Sequence, residues 1–312
     1  MSPSIFPSKN RSYLYCQIAA SESLMRAKRN DWFLLNSLRL LASLTALVGI
    51  LIAIFVLKEA WPALRAIGVL RFFGDKAWYP LEGQFNLVPI LLGTVLTALG
   101  GVAIAAPLGL FSALYCQFYA PKIAASTYQR LLELLAGIPS VVYGFWGLVV
   151  LVPKINQLHP PGQSLLAGIL ILSLMILPTV ALLSITSLGD VPDTYLQGAE
   201  ALNLSRSTTL TRIVLPTAKS GLITAVVLAT GRALGETMAV LMVCGNVVQV
   251  PNSVFDPVRS LAANIALEMA YATADHRSVL FVSGLVLLGL VGLLVMVASV
   301  LGSQEQGRRH GI

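Results

Sequence analysis

Arg232 and Glu236 stand four residues apart in a run that is otherwise apolar or small, Gly221 to Val243. At that spacing an unbroken helix brings both onto one face, about one turn apart. A guanidinium presents a fixed fork of donors that suits oxyanions. A carboxylate beside it either orients that fork or neutralises it. The pair therefore serves either to meet a passing anion or, as a structural ion pair, to lock helix packing or a gate. Thr237 in the same run and Ser140 in another carry hydroxyls able to donate to an anion or to bond back to their own helix. Tyr143 either lines a path or packs. These five residues form the candidate translocation path or gate. No catalytic set accompanies them. His159, His276 and His310 are isolated from one another, and Cys16, Cys116 and Cys244 lie far apart, so no metal centre is expected. A glycine-rich loop ending in Gly-Lys-Ser/Thr is missing, so the chain is not expected to grip a nucleotide or to be an enzyme itself.

The elements that must position these residues are set by composition. Of 312 residues, 56% are hydrophobic and 11% charged, against about a quarter charged in soluble domains. The apolar residues gather into runs of roughly 20 residues or more, the length that spans a bilayer. Six are present, at about Trp32–Leu57, Leu87–Tyr119, Leu131–Val152, Ser164–Leu188, Gly221–Val243 and Ser278–Leu301. The fold class expected is an all-α integral membrane protein with about six transmembrane helices. Gly137, Pro139 and Gly144 predict a bend and close helix approach in the third run. Pro178 in the fourth and Gly231 and Gly235 in the fifth read the same way. Glu133, beside Arg130, reads as an end-of-helix cap or ion pair. The first run is too long for a signal core and reads as an uncleaved anchor.

Basic residues near the span ends set orientation. With the N-terminus inside, twelve fall on the inner side, among them Lys9, Arg11, Arg26, Lys28, Arg29, Arg308 and Arg309; seven fall outside, among them Lys58, Arg65, Arg259 and Arg277. Both termini are expected in the cytoplasm. The net charge of +7 is spread over these span ends, and no nucleic acid is expected as a partner. The chain then divides into a cytoplasmic segment 1–31, an anchor 32–57, an extracytoplasmic segment 58–86, a main transmembrane domain 87–301 and a tail 302–312. The long outer segments are either docking surfaces or plain connections.

Residues 189–219 form the most informative polar stretch. Pro192 can open a helix, Thr194 to Leu210 reads as one or two short helices, and Pro216 is expected to end the element. A helical piece held at the membrane surface between two spans is a lever on both. Its spacing resembles the cytoplasmic signature of ABC importer permeases, a Glu-Ala-Ala triplet, a Gly four positions on, then Ile-x-Leu-Pro. The triplet falls on Gln197, Gly198 and Ala199, the glycine position on Asn203, and the ending on Ile213, Leu215 and Pro216. Gln197 replaces the usual Glu and Asn203 the usual Gly; Asn tolerates the left-handed backbone region that Gly favours.

A more specific resemblance rests on Gly231-Arg232-Ala233-Leu234-Gly235-Glu236-Thr237-Met238-Ala239-Val240 followed by Gly245-Asn246. With it go Ala136-Gly137-Ile138-Pro139-Ser140-Val141-Val142-Tyr143-Gly144 and Met175-Ile176-Leu177-Pro178-Thr179. From about Leu87 onward the chain is similar to PstC-type permeases of the phosphate ABC importer, whose sister PstA-type permeases share much of the pattern. The resemblance implies a type I, MetI-like importer permease fold in the bacterial inner membrane. It also implies a second PstA-like permease, a cytoplasmic PstB-like ATPase dimer that uses ATP, and an extracytoplasmic PstS-like phosphate-binding protein. The chain itself is then expected to bind no cofactor. The alternatives are a PstA-type permease, a permease for molybdate or sulfate, and an ion-gradient-driven secondary transporter. The secondary transporter predicts an internal repeat, and none is evident.

Overall fold

In the computed structural model, residues 34–299 are described, apart from Leu81. The basic residues expected ahead of the first span, Cys16, and the tail with Arg308, Arg309 and His310 lie outside them. Two compact units divide the chain, Met1–Phe55 and Val56–Ile312. In the first, the described residues form a helix whose apolar side chains face outward, with Leu38, Ile50 and Phe55 all at least half exposed. A helix that is hydrophobic all round requires an apolar surrounding.

The first helix, α1 (Leu34–Ile67 among the described residues), is followed in the second unit by α2 (Arg71–Gly74) and a short hairpin, β1 (Trp78–Tyr79) antiparallel to β2 (Gln84–Phe85). Then come α3 (Val88–Leu114), α4 (Lys122–Gly137), α5 (Ser140–Trp146), α6 (Val152–Leu158) and α7 (Leu165–Gly189). After them lie α8 (Asp193–Ala201), α9 (Arg206–Thr209), α10 (Leu215–Leu234), α11 (Met238–Val243), α12 (Leu261–Glu268) and α13, which begins at Ala274. Six segments among the described residues are long and apolar enough to cross a membrane: Leu34–Ile67, Val88–Tyr119, Ser140–Leu158, Leu165–Gly189, Arg206–Leu234 and Ala274–Ser299. The expected six-helix, all-α membrane fold is the observed one.

Two spans lie elsewhere than the apolar runs suggested, and proline explains both. The third runs from Ser140 to Leu158 rather than from about Leu131 to Val152. Pro139 forces Ile138 out of the helical region (ψ 129°), so α4 stops at Gly137 and α5 starts afresh. The fifth runs from Arg206 to Leu234 rather than from Gly221 to Val243. Pro216 does not end the surface element. It sits at the start of α10, after a wide π-helical turn at Leu210–Val214 that joins α9 to α10. The same device recurs at Gly147–Leu151 before Pro153 and at Tyr115–Tyr119 before Pro121. A proline ring collides with the carbonyl four residues back. Adding one residue to the turn moves that carbonyl aside, and the residue before proline donates five back, as from Ala120 N–H to the Tyr115 carbonyl at 2.9 Å. At Pro153 and Pro216 the helix continues; at Pro121 it stops.

The largest helix contact joins α3 to α7. On α3, Gly93, Thr97, Gly101, Ala105, Gly109 and Ala113 recur every four residues and all are buried. Such a stripe of small side chains lets backbones approach closely, which is how helices gain packing energy in lipid. At Gly101 and Gly109 the partners are Leu172 and Val180 of α7. The N-terminus of α7 is covered by the segment after α11. Leu165 N–H donates to the Asp256 carbonyl (2.8 Å), Leu166 N–H to the Val254 carbonyl (2.7 Å), and Ala167 N–H to Ser164 Oγ (3.3 Å). The first N–H groups of a helix have no partner within it, and here other protein atoms supply one.

A Cβ on Gly109 would lie 2.9 Å from Cβ and Cγ1 of the fully buried Val180 and 3.2 Å from the Ala181 backbone nitrogen. Gly109→Ala is expected to destabilise the protein by about 1–3 kcal/mol, as overpacking in a close-packed core does. Thermal unfolding in detergent checks this, and an unchanged midpoint would rule out a tight α3–α7 contact.

Candidate functional site

Arg232 lies in the last turn of α10, which ends at Leu234 with Gly235 as its cap. The helix therefore does not reach Glu236, and the expected pairing of the two charges on one face is replaced by separate roles. Glu236 Oε1 accepts the Ala239 N–H at 3.1 Å, closing the start of α11. Arg232 Nη1 donates to Thr179 Oγ1 on α7 at 3.1 Å. No ion pair joins Arg232 to Glu236. Thr179 is fourteen residues from Leu165 and ten from Gly189 in a membrane-length helix, about 21 Å and 15 Å along its axis. Arg232, two residues before the end of its own span, is exposed there at the level of the middle of α7.

The other residues of the candidate path lie on α5, which carries Ser140 and Tyr143, and in the turn before α11, which carries Thr237. Tyr143 is buried and within electrostatic reach of the Arg232 charge. Its hydroxyl donates to the Leu135 carbonyl at 2.8 Å, so it is committed to bridging the break between α4 and α5. Ser140 heads α5, half-buried, and Thr237 lies in the turn between α10 and α11. Gly144 marks the crossing of α5 and α11: a Cβ there would be 2.8 Å from Ala239 Cα. Gly137, Gly231 and Gly235 do not serve as close contacts between helices. A Cβ on Gly137 would meet nothing within 4 Å, one on Gly231 would be 4.0 Å from Leu294, and one on Gly235 would meet only its own helix. Gly137 and Gly235 instead stand where helices stop, and Pro139 makes the break after Gly137. Pro178 is buried within α7, one residue before Thr179. Glu133 and Arg130 are both exposed on α4, and no ion pair joins them.

The surface element between α7 and the fifth span is α8 followed by a tight turn. Asn203 adopts φ 52°, the left-handed conformation. Leu204 N–H reaches the Ala199 carbonyl (3.0 Å) and Asn203 N–H the Glu200 carbonyl (2.9 Å), the glycine-type helix ending with Asn in its place. The element has two faces. Ala199 is buried at 2% exposure, whereas Gln197, Gly198, Tyr195 and Leu202 are exposed, Leu202 to 74%. Ile213 and Leu215 are half-buried and Pro216 exposed. An open cavity of about 830 Å³ lies beside α8, lined by Ser187, Asp190, Tyr195 and Arg212 among others.

A second polar centre was not found from the sequence. Glu268, at the end of α12, accepts from Arg259 Nη1 (2.6 Å), from Trp78 Nε1 (3.1 and 3.2 Å to its two oxygens), and pairs with His276 Nε2 (2.9 Å). Arg259 also donates to the Asn246 carbonyl (2.8 Å) and to Asn264 Oδ1 (3.1 Å). This network ties the hairpin, α12, α13 and the turn after α11 together. A backbone contact holds it from the side of α3, where a Cβ on Gly93 would be 2.5 Å from the Arg259 carbonyl. Trp78 is 190 residues from Glu268 in the chain, and no local pattern announces such a contact. His276, isolated from the other histidines in sequence, is buried at the start of α13.

Glu268→Ala would leave a partly buried Arg259 without its carboxylate. A loss of about 3–5 kcal/mol is expected, as for other buried pairs deprived of one partner. Thermal unfolding of the detergent-solubilised protein measures it; a drop no larger than that of an exposed carboxylate such as Glu133→Ala would rule out a structural role for the network.

The family described as "Binding-protein-dependent transport system inner membrane component" matches residues 105–305. The chain is 34% identical over 301 residues to "Probable ABC transporter permease protein YqgH" of Bacillus subtilis, covering 93% of this chain and 97% of that one. It is 34% identical over 269 residues to the phosphate transport system permease protein PstC of Mesorhizobium japonicum, covering 80% of each chain. Among solved structures it resembles a chain of the MetNI methionine ABC transporter in an inward-facing conformation (TM-score 0.53, 19% identity, 70% of this chain and 93% of that one). A chain of a bacterial alginate ABC transporter is similar as well (TM-score 0.56, 13% identity, 83% and 92%). The fold is therefore the type I, MetI-like permease fold. By the family match and these relatives, the chain belongs to the binding-protein-dependent transport system inner membrane components, as a multi-pass, non-catalytic transport subunit.

Proposed function

We propose that this protein is one of two membrane-spanning permease subunits of an ATP-driven inorganic phosphate importer. The observation that carries the reading is Arg232, an exposed guanidinium held at the level of the middle of α7 and tethered to a neutral hydroxyl rather than paired with a carboxylate. A charge at that depth faces protein or water rather than lipid. An arginine left unneutralised there is electrostatically suited to an oxyanion. A single tethered arginine attracts the anion without enclosing it, which a conducting site requires if the anion is to leave. Similarity to the permease of Mesorhizobium japonicum named for phosphate transport, and to one of Xylella fastidiosa (32% identity over 310 residues), supports phosphate over other oxyanions.

In this reading both termini are cytoplasmic, and the exposed side of Arg232 faces a PstA-like second permease and the path between the two. A PstS-like binding protein delivers phosphate on the side of the hairpin and α12. A PstB-like ATPase dimer engages the exposed face of α8, where Gly198 leaves room for close approach and Leu202 and Tyr195 offer apolar surface. Because α8 is held between α7 and the rod Arg206–Leu234, displacement of α8 acts on the two helices that carry Thr179 and Arg232.

Uptake of radiolabelled phosphate at micromolar concentration, in cells deleted for this chain and lacking other phosphate importers, tests the reading. Restoring the chain is expected to restore phosphate uptake but not molybdate or sulfate uptake, and Arg232→Ala is expected to abolish most of it with assembly retained. Rescue of molybdate or sulfate instead would transfer the reading to that anion.

The faces of α8 separate in a second experiment. Leu202→Glu is expected to leave the permease folded and to weaken recovery of the ATPase with it. Ala199→Lys is expected to lower the amount of folded permease, because the new charge replaces a buried methyl group. Equal ATPase recovery with Leu202→Glu would rule out α8 as the docking face.

A further inference from the structure

Thr179 differs from most threonines of the membrane helices in what its hydroxyl does. Thr94, Thr97, Thr186, Thr217, Thr224 and Thr230 each donate to the carbonyl four residues earlier, at 2.6–3.1 Å. That is the usual resting place of a threonine hydroxyl in an apolar surrounding. Thr179 makes no such bond. Its oxygen accepts from Arg232 Nη1 across to α10, and its proton goes to no described residue. It is half-buried, directly after Pro178 and near the middle of α7.

From this geometry we propose that Thr179 is the positioning residue for Arg232, and that its unspent hydroxyl proton is offered to the same oxyanion. The inference rests on the reading of Arg232 given above and adds a second group to it. A threonine oxygen can accept one bond while its proton donates another. With Nη1 held by Thr179, the guanidinium plane is fixed against α7, and Nε and Nη2 have no bonded partner among the described residues. The anion then meets one hydroxyl and the remaining edge of the arginine, side by side. Glu236 takes no part in holding the arginine, since its carboxylate closes the start of α11. Tyr143 is not the second donor, since its proton is given to the Leu135 carbonyl.

The test uses the intact complex in proteoliposomes, with radiolabelled phosphate as the probe and four permeases: wild type, Thr179→Val, Thr179→Ser and Arg232→Ala. Thr179→Val keeps the shape and removes the hydroxyl. It is expected to lower initial uptake about tenfold, the order expected for loss of a hydrogen bond to a charged group. Thr179→Ser, which keeps the hydroxyl, is expected to stay within about twofold of wild type on the same reasoning. Co-purification of the partner subunits is expected to be the same in all four, which a defect of α7 packing would not allow. Normal uptake by Thr179→Val beside defective Arg232→Ala would overturn the positioning role and leave the reading of Arg232 intact. Equal defects in the Val and Ser variants, with assembly lost, would assign Thr179 to packing and overturn it also. Normal uptake by Arg232→Ala would overturn both readings together.

Discussion

In hydrocarbon no water can satisfy a loose backbone N–H or carbonyl, so each place where this chain stops being helical must be covered by other protein atoms. The architecture follows from how those places are covered. At Pro153 and Pro216 a π-helical turn absorbs the proline and lets the helix run on. At Pro139 the helix does break, and the Tyr143 hydroxyl takes up the Leu135 carbonyl across the gap. At the start of α7 the segment after α11 folds back, and its Val254 and Asp256 carbonyls receive the N–H groups of Leu166 and Leu165. Between α10 and α11 the Glu236 carboxylate closes the new helix. Breaks of this kind admit polar groups to the middle of a membrane protein, and the candidate path lies among them.

The two charged centres obey different physics. Around Glu268 the charges are enclosed and fully answered by Arg259, His276 and Trp78, an arrangement that holds four pieces of chain in register. Around Arg232 the charge is exposed, and one neutral hydroxyl answers it. A neutralised buried pair stabilises geometry and has little left to offer a ligand. A tethered cation keeps most of its field. That contrast separates the framework from the proposed path more sharply than position along the chain does.

The short element α8 has one exposed and one buried face. Ala199 is buried, and Leu196 of α8 packs against the cluster that contains Leu210 and Val214, which anchors the element to the membrane helices. Leu202, Tyr195 and Gly198 remain outside. Asn203 closes α8 in the left-handed conformation that the usual glycine would adopt, so the departure from the common signature leaves the turn unchanged.

Span number, helical class and family were determined by the sequence itself. Hydrophobic length is a local property, and Leu87–Tyr119 and Ser164–Leu188 lie within a residue of the helices they predict. The four-residue stripe from Gly93 to Ala113 is equally local and could have been read as the packing face of α3. The sequence alone left open which partner each polar group finds. Arg232 and Glu236 are spaced as a helical pair, yet Gly235 ends the helix between them and Thr179, 53 residues away, takes the arginine. The third and fifth spans shifted because a proline can break a helix or be absorbed by a wider turn, and neighbouring helices select the outcome. Glu268 had no local signature at all, since Trp78 reaches it across 190 residues. Periodicity is carried by consecutive residues, whereas hydrogen-bond partners across helices are chosen by packing, and only the tertiary structure decides that.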